Sequence, residues 1–341
     1  MEAYAVSDGV PQQFVGAGID EVLLPGAEQI ERGGPGERRF AYREGATVVL
    51  DYTEVLAGVP GAGYLTSRIV GEDLRWAAQS VGLSQVYLAL PAAGCVADGG
   101  LAFLEAVASD EPESAAWGFR QKERPEVSPD NIEQWLIRGR ERTRHLAITV
   151  LAPAEQRMVG LSGVARSWMQ AGLSPEAAQL LERSMGEIAS ALDEAIGAVG
   201  SPDLLGARPS SRDVYSGVGA MGLALAGIGA RIFPTGDVTA RPFIAQSITE
   251  ADLVVYVCAA IGEDLPSGLV ATIAEATRVG CAVVVVYETG SLRKGELPNL
   301  GIHGAYELRP GFDLAASPPE TTDISGTLSN MMTRVARTWG W

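Results

Sequence analysis

The sequence predicts an α/β protein of two domains. Three observations carry that prediction. Residues 251–276, ADLVVYVCAAIGEDLPSGLVATIAEA, have the outline of a buried strand, a turn and a following helix. A strand-then-helix pair of the same kind recurs at Ala46–Tyr52 and Ser67–Ser80. The length, 341 residues, exceeds what one hydrophobic core ordinarily supports.

Taken in order, the first thirty residues are punctuated by Gly and Pro, with a short strand candidate at Glu21–Leu24, and GGPGERR at 33–39 reads as a surface loop. Ala46–Tyr52, ATVVLDY, is a strand. Ser67–Ser80 carries Ile69, Leu74, Trp76 and Ala77 at helical spacing. Val86–Leu90 is a further strand and runs into the small-residue loop PAAGCVADGG. Charge then rises between Ala108 and Arg144, where Arg138, Arg140, Arg142 and Arg144 alternate; that period of two suggests a solvated strand edge or extended turn before the strand His145–Leu151.

The clearest helix is Ser174–Val199. Ser174 suits its cap and Pro175 its first turn, while Leu181, Met185, Ile188, Leu192 and Ile196 recur along one face. A Pro/Gly/Ser-rich linker, Gly200–Ser211, separates it from the glycine-dense segment Gly217–Gly236. Leu253–Val257 is read as the next strand, Cys258–Leu265 as a turn and Pro266–Ala276 as a helix.

Composition narrows the function. With 42 acidic against 26 basic residues the formal net charge is −16, which opposes binding to nucleic acid or anionic lipid. No run reaches the roughly 18 apolar residues that span a bilayer, and MEAYAVSDGVPQQF lacks the basic and apolar regions of a signal peptide, so the expected location is cytoplasmic. Cys95, Cys258 and Cys281 lie too far apart for a CxxC metal site, and two histidines, His145 and His303, leave little for a zinc site or a serine triad. The only lysines are Lys122 and Lys294.

Gly217, Gly219 and Gly222 spell GxGxxG, but the preceding PSSRDVYS is polar and not a buried strand, so the dinucleotide fingerprint fails. A turn that approaches phosphate and a turn that serves close packing both remain open. No stretch satisfies the P-loop pattern GxxxxGK[ST].

Four blocks, in order, resemble the bacterial type-1 glycerate kinase family. GATVVLDYTEVLAGVP and LTSRIVGEDLRWAAQSVG are similar to the family's strand and TSYGTGEL helix start, with Thr66, Ser67, Gly71 and Glu72 matching. QVYLALPAAGCVADGGLAFLEAV stands in place of the GGSATNDGG loop and keeps Asp98, Gly99 and Gly100. VGLSGVARSWMQAGLSPEAAQLLE is similar to TGPxGAAxxFxPQKGA, and SGVGAMGLALAGIGARIFPTG followed by ADLVV to GAAGGLG followed by ADLVxTGEG.

The resemblance implies a Rossmann-like three-layer domain from residues 1–35 plus 243–341, with a second α/β domain, 36–242, inserted in it. It also implies ATP-dependent phosphoryl transfer to glycerate with magnesium. Asp98 is then a metal ligand or base, although the same residue suits the cap of the helix after Gly100. Glu72 is a second catalytic candidate; Thr66, Ser67, Gly99, Gly100, Gly217, Gly219 and Gly222 are expected near phosphate or nucleotide, and Glu263 and Asp264 serve as reserve acids.

The departures from the family pattern fall on its anion-handling parts. The lysine-bearing APDSFKGSLSA motif has no counterpart in the first thirty residues, the GGSATNDGG loop has lost its Ser and Thr hydroxyls, and TGEGRxDxQ is replaced by YVCAAIGEDL. Phosphoryl transfer depends on positioned donors, cations and metal-binding carboxylates, so activity is expected to be weakened or lost. The alternative is a non-catalytic member that binds a metabolite or a protein partner.

Overall fold

A computed structural model describes residues 23–33, 39–53, 55–56, 67–91, 96, 98–110, 129–152, 158, 165, 168–169, 172–200, 218–235, 238, 248, 251–261, 265–290, 292–308 and 324–340. It divides into two compact units, one within Ile19–Pro234 and the other within Thr235–Trp341.

The larger unit is built on a six-stranded sheet in sequential order. β1 (Glu28–Arg32) and β2 (Arg39–Glu44) form an antiparallel pair, and β2 pairs antiparallel with β3 (Thr47–Asp51). From β3 onward, β4 (Gln85–Ala89), β5 (Ala147–Ala152) and β6 (Arg231–Pro234) are parallel. Parallel neighbours need crossover connections, and helices supply them. These are α1 (Arg68–Gln79), α2 (Leu101–Ala108), α3 (Pro129–Thr143), α4 (Pro175–Val199) and α5 (Ala220–Gly227).

Val48, Leu50, Val86, Leu88 and Val150 from the sheet join Leu74, Phe103, Leu136, Leu192 and Leu225 from the helices in one core. Helices α1 and α2 approach backbone to backbone. A Cβ at Gly71 would lie 2.5 Å from the Phe103 carbonyl oxygen, so only glycine permits the contact. Every residue of α5 is buried, which is why AMGLALAG shows no amphipathic stripe.

The smaller unit shows how period-two alternation builds three layers. β7 (Leu253–Ile261), β8 (Ala282–Gly290) and β9 (Gly304–Glu307) are parallel, with β8 in the middle. Val283 and Val285 pack with Leu269 and Ala276 of α6 (Ser267–Val279). Val284 and Val286 instead join Val335, Leu328 and Met331 of α7 (Ile324–Thr338) in a separate cluster. Successive valines of one strand thus serve opposite helical layers.

The structure corrects three expectations. Glu28–Arg32, expected with the chain-ends domain of 1–35 plus 243–341, is an edge strand of the larger sheet, in register with β2 from Glu28↔Arg43 to Arg32↔Arg39. The arginines at 138, 140 and 142 lie on α3 and not on an extended strand; Arg140 Nε donates to Gly227 O at the end of α5, and Arg142 donates to Val107 O and Ser109 O and pairs with Asp110. Cys258, expected to open a turn, continues β7, which runs to Ile261 because Cys258, Ala260 and Ile261 pair with Tyr287, Thr289 and Gly290. Among the described residues no helix is long and apolar enough to cross a membrane.

Candidate functional site

In open parallel sheets the loops beyond the strands' carboxyl ends and the helix starts after them are the usual place for ligands. Asp98 stands at such a place, in the turn that leads into α2. Its Oδ2 accepts the backbone N–H of Ser67 at 2.9 Å, and its Oδ1 accepts that of Gly100 at 3.0 Å. Ser67 immediately precedes α1 and Gly100 caps α2. The carboxylate therefore ties together two helix starts, where backbone N–H groups lack intrahelical partners and favour negative charge.

Ser67 completes the junction from the other side. Its Oγ accepts the N–H of Phe103 at 2.8 Å. Ser67 is fully buried and Asp98 is 3% exposed. Both residues that match the family motifs here act as struts between α1 and α2.

The glycines serve the same packing. Gly99 and Gly100 have φ of 57° and 91°, the left-handed region. A Cβ at Gly100 would lie 2.9 Å from Met221 Cα and from Ala224 Cβ, and one at Gly99 2.8 Å from Ile188 Cγ2. Gly219, with φ 63°, admits the chain into α5, where Gly222 is buried. The first N–H of that helix, from Ala220, points at the Met185 sulfur at 3.2 Å. A weak thioether acceptor thus faces the N–H that a phosphate-binding turn would present.

Glu72 has different surroundings. It accepts from Arg68 Nε at 3.0 Å and from Arg39 Nη2 at 3.3 Å. The adjacent Asp73, 1% exposed, lies at the centre of a cluster that the sequence reading does not single out. Arg39 Nε donates to its Oδ2 at 2.6 Å, Tyr52 Oη at 2.8 Å to the same oxygen, and Arg32 Nε to its Oδ1 at 3.2 Å. Burial opposes the charge on Arg39, but the Asp73 hydrogen bond and charge outweigh it, so the guanidinium pKa is raised. Burial first, and then Asp73, push the Tyr52 hydroxyl well above its ordinary value. Arg32, Arg39, Glu72, Arg75, Trp76 and Gln79 border a pocket of about 390 Å³ above this cluster. The only advance signal is an aspartate inside an otherwise apolar face of an expected helix.

Of the expected site residues, Ser67, Asp98, Gly99 and Gly100 come together at the start of α1 and α2, with Gly100 packed on α5, while Glu72 belongs to the arginine cluster. Thr66, Gly217, Glu263 and Asp264 lie outside the described residues. Magnesium requires open oxygen ligands in near-octahedral geometry. Asp98, buried and with each oxygen engaged by a backbone N–H, does not fit that demand. Among the described residues no group of three or more His, Cys, Asp or Glu side chains is placed to hold a metal ion.

A unit with a parallel three-stranded sheet and a larger unit with a mixed six-stranded sheet define a two-unit α/β protein. More particularly, the chain belongs to the glycerate kinase family, whose family model matches residues 45–340. Its structure is similar to the crystal structure described as "putative glycerate kinase 2 from Salmonella typhimurium LT2", with a TM-score of 0.54 and 17% identity over 92% of this chain and 81% of that one. At that identity the likeness shows the fold alone. No curated protein matches the sequence.

Proposed function

We propose that this glycerate kinase family member is a cytoplasmic protein that binds a small glycerate-like organic acid, and that its ATP- and magnesium-dependent phosphoryl transfer is weakened or lost. One observation carries the reading. Asp98, the acid retained from the family loop, has both carboxylate oxygens on backbone N–H groups inside the fold. A carboxylate so held stabilises two helix starts but is poorly disposed to take a proton or to hold a metal ion.

The fate of the family's TGEG turn favours the non-catalytic form of this reading. That position continues as strand β7 through Ala260 to Ile261, and Ile261 is 1% exposed. Backbone groups committed to a ladder with β8 are not free to cradle phosphate.

Two measurements test the proposal. A ligand that binds only the native state raises its melting temperature by mass action, so glycerate is expected to raise it while ATP with magnesium raises it little. Glycerate-dependent ADP release is then expected to remain near background. A clear ATP shift together with rapid ADP release would overturn the reading.

A further inference from the structure

The pocket beside α1 has properties that the motif residues do not explain. Arg32 and Arg39 face each other across β1 and β2. The pairing of Ala41 with Leu50 places Arg39 level with Tyr52, just past the carboxyl end of β3. The pocket thus lies on the ligand side of the sheet, at its antiparallel edge.

Its charge is locally positive in a chain whose formal net charge is −16. Three guanidinium groups, those of Arg32, Arg39 and Arg75, meet two carboxylates, Glu72 at the wall and Asp73 beneath. Asp73 and Glu72 serve Arg39. Arg32 uses only Nε, toward Asp73, and its guanidinium lies 4.3 Å from the centre of the Trp76 ring. Arg75 uses only Nη1, toward Ser109 O. Each guanidinium carries five N–H donors, so both retain donors for a partner. Burial lowers the pKa of Arg75, Arg142 and Arg68 lower it further, and Glu72 and Asp110 oppose that.

We infer that the pocket formed by Arg32, Arg39, Glu72, Arg75, Trp76 and Gln79 binds a small oxyanion, a carboxylate or phosphate group, through Arg32 and Arg75. Guanidinium groups recognise such anions bidentately, and Trp76 holds Arg32 in place by stacking against it. A volume of about 390 Å³ has room for a small metabolite. The site is separate from the Asp98 junction, so it stands whether or not the chain transfers phosphate.

Isothermal titration calorimetry of the whole chain at low salt, with inorganic phosphate in one arm and lactate in the other, tests the inference. Saturable heat is expected in at least one arm; the responding arm identifies the anion. Arg75→Gln is expected to weaken that binding about tenfold, the effect of losing one charge-assisted pair. Gln79→Glu, a change at the exposed rim, is expected to weaken it comparably by charge repulsion while leaving the fold intact, so it decides the matter if Arg75→Gln fails to fold. No saturable heat in either arm up to about 20 mM, beyond the millimolar range of weak anion sites, would overturn the inference. So would binding that a folded variant of either kind leaves unchanged.

Discussion

Two buried aspartates flank the first turns of α1, and they are satisfied in opposite ways. Asp98 is held by backbone N–H groups, from Ser67 and Gly100. Asp73 is held by side chains, two guanidinium groups and a phenol. Backbone donors are fixed by the fold and stay in place when a side chain is changed. The side-chain donors of Asp73 include a cation, Arg39, that is itself 5% exposed and keeps the longer pair with part-exposed Glu72 when Asp73 is removed. The two acids thus differ in what their loss leaves behind: idle amides at one, a buried cation with a weakened set of partners at the other.

That difference ranks the expected effects. Asp73→Ala is expected to cost the most, about 3–5 kcal/mol in urea unfolding, because it takes from buried Arg39 its shorter contact, 2.6 Å, and leaves the 3.3 Å pair with part-exposed Glu72. Pairing it with Arg39→Met is expected to restore much of the loss, since the buried charge leaves with its partner. A double variant as unstable as the single one would show that the cluster supplies something besides mutual neutralisation.

Asp98→Ala comes next, at about 3 kcal/mol, for two amides left without acceptors in the interior. Asp98→Asn keeps one acceptor oxygen and is expected to lose about half as much. If Asp98→Asn instead left stability unchanged and altered ligand binding, Asp98 would be a site residue and the comparison would fail. Gly100→Ala, at φ 91° and against Met221 Cα, is expected to cost about 2 kcal/mol by the same unfolding measurement.

The smallest effect has a pH signature. Tyr52→Phe removes one hydrogen bond to Asp73, about 1 kcal/mol at neutral pH. Burial and Asp73 keep the native Tyr52 hydroxyl protonated well above 10.0. Above pH 10 the unfolded chain has lost a proton that the native chain keeps, so stability falls as pH rises past that point. The phenylalanine variant is expected to show a shallower alkaline decline in Tm than the parent. Parallel declines would place the titrating group elsewhere.

The parts of this fold that were legible in sequence share a period. β3, β4, α1, α4 and α6 carry apolar spacing that their burial later reproduces, and Ser174 caps α4 by accepting the Ala177 N–H. α3 is obscured because its arginines sit two apart and suggest extended chain, although Ile132 and Leu136, four apart, mark its buried face. β1 offers no apolar alternation, and α5 is buried on every side, so neither shows a one-sided pattern. β8 has four consecutive valines and was readable as a buried strand, but no motif drew attention to it. For the site, the family motifs single out Ser67, Asp98, Gly99 and Gly100, which the structure brings together at the starts of α1 and α2. They do not reveal that the acid faces inward. Nor do they reveal the arginine cluster, whose members come from positions 32, 39 and 75 and meet only through β1–β2 pairing.

On the function proposed above, the acid kept from the family motif supports the fold and phosphoryl transfer has faded. Its most direct test is steady-state ADP release by the purified chain with ATP, magnesium and glycerate. The expected turnover is at least about 10²-fold below the roughly 1–100 s⁻¹ typical of kinases, with no further fall in a folded Asp98→Asn variant. Turnover within that typical range, abolished by Asp98→Asn in a protein that remains folded, would contradict it.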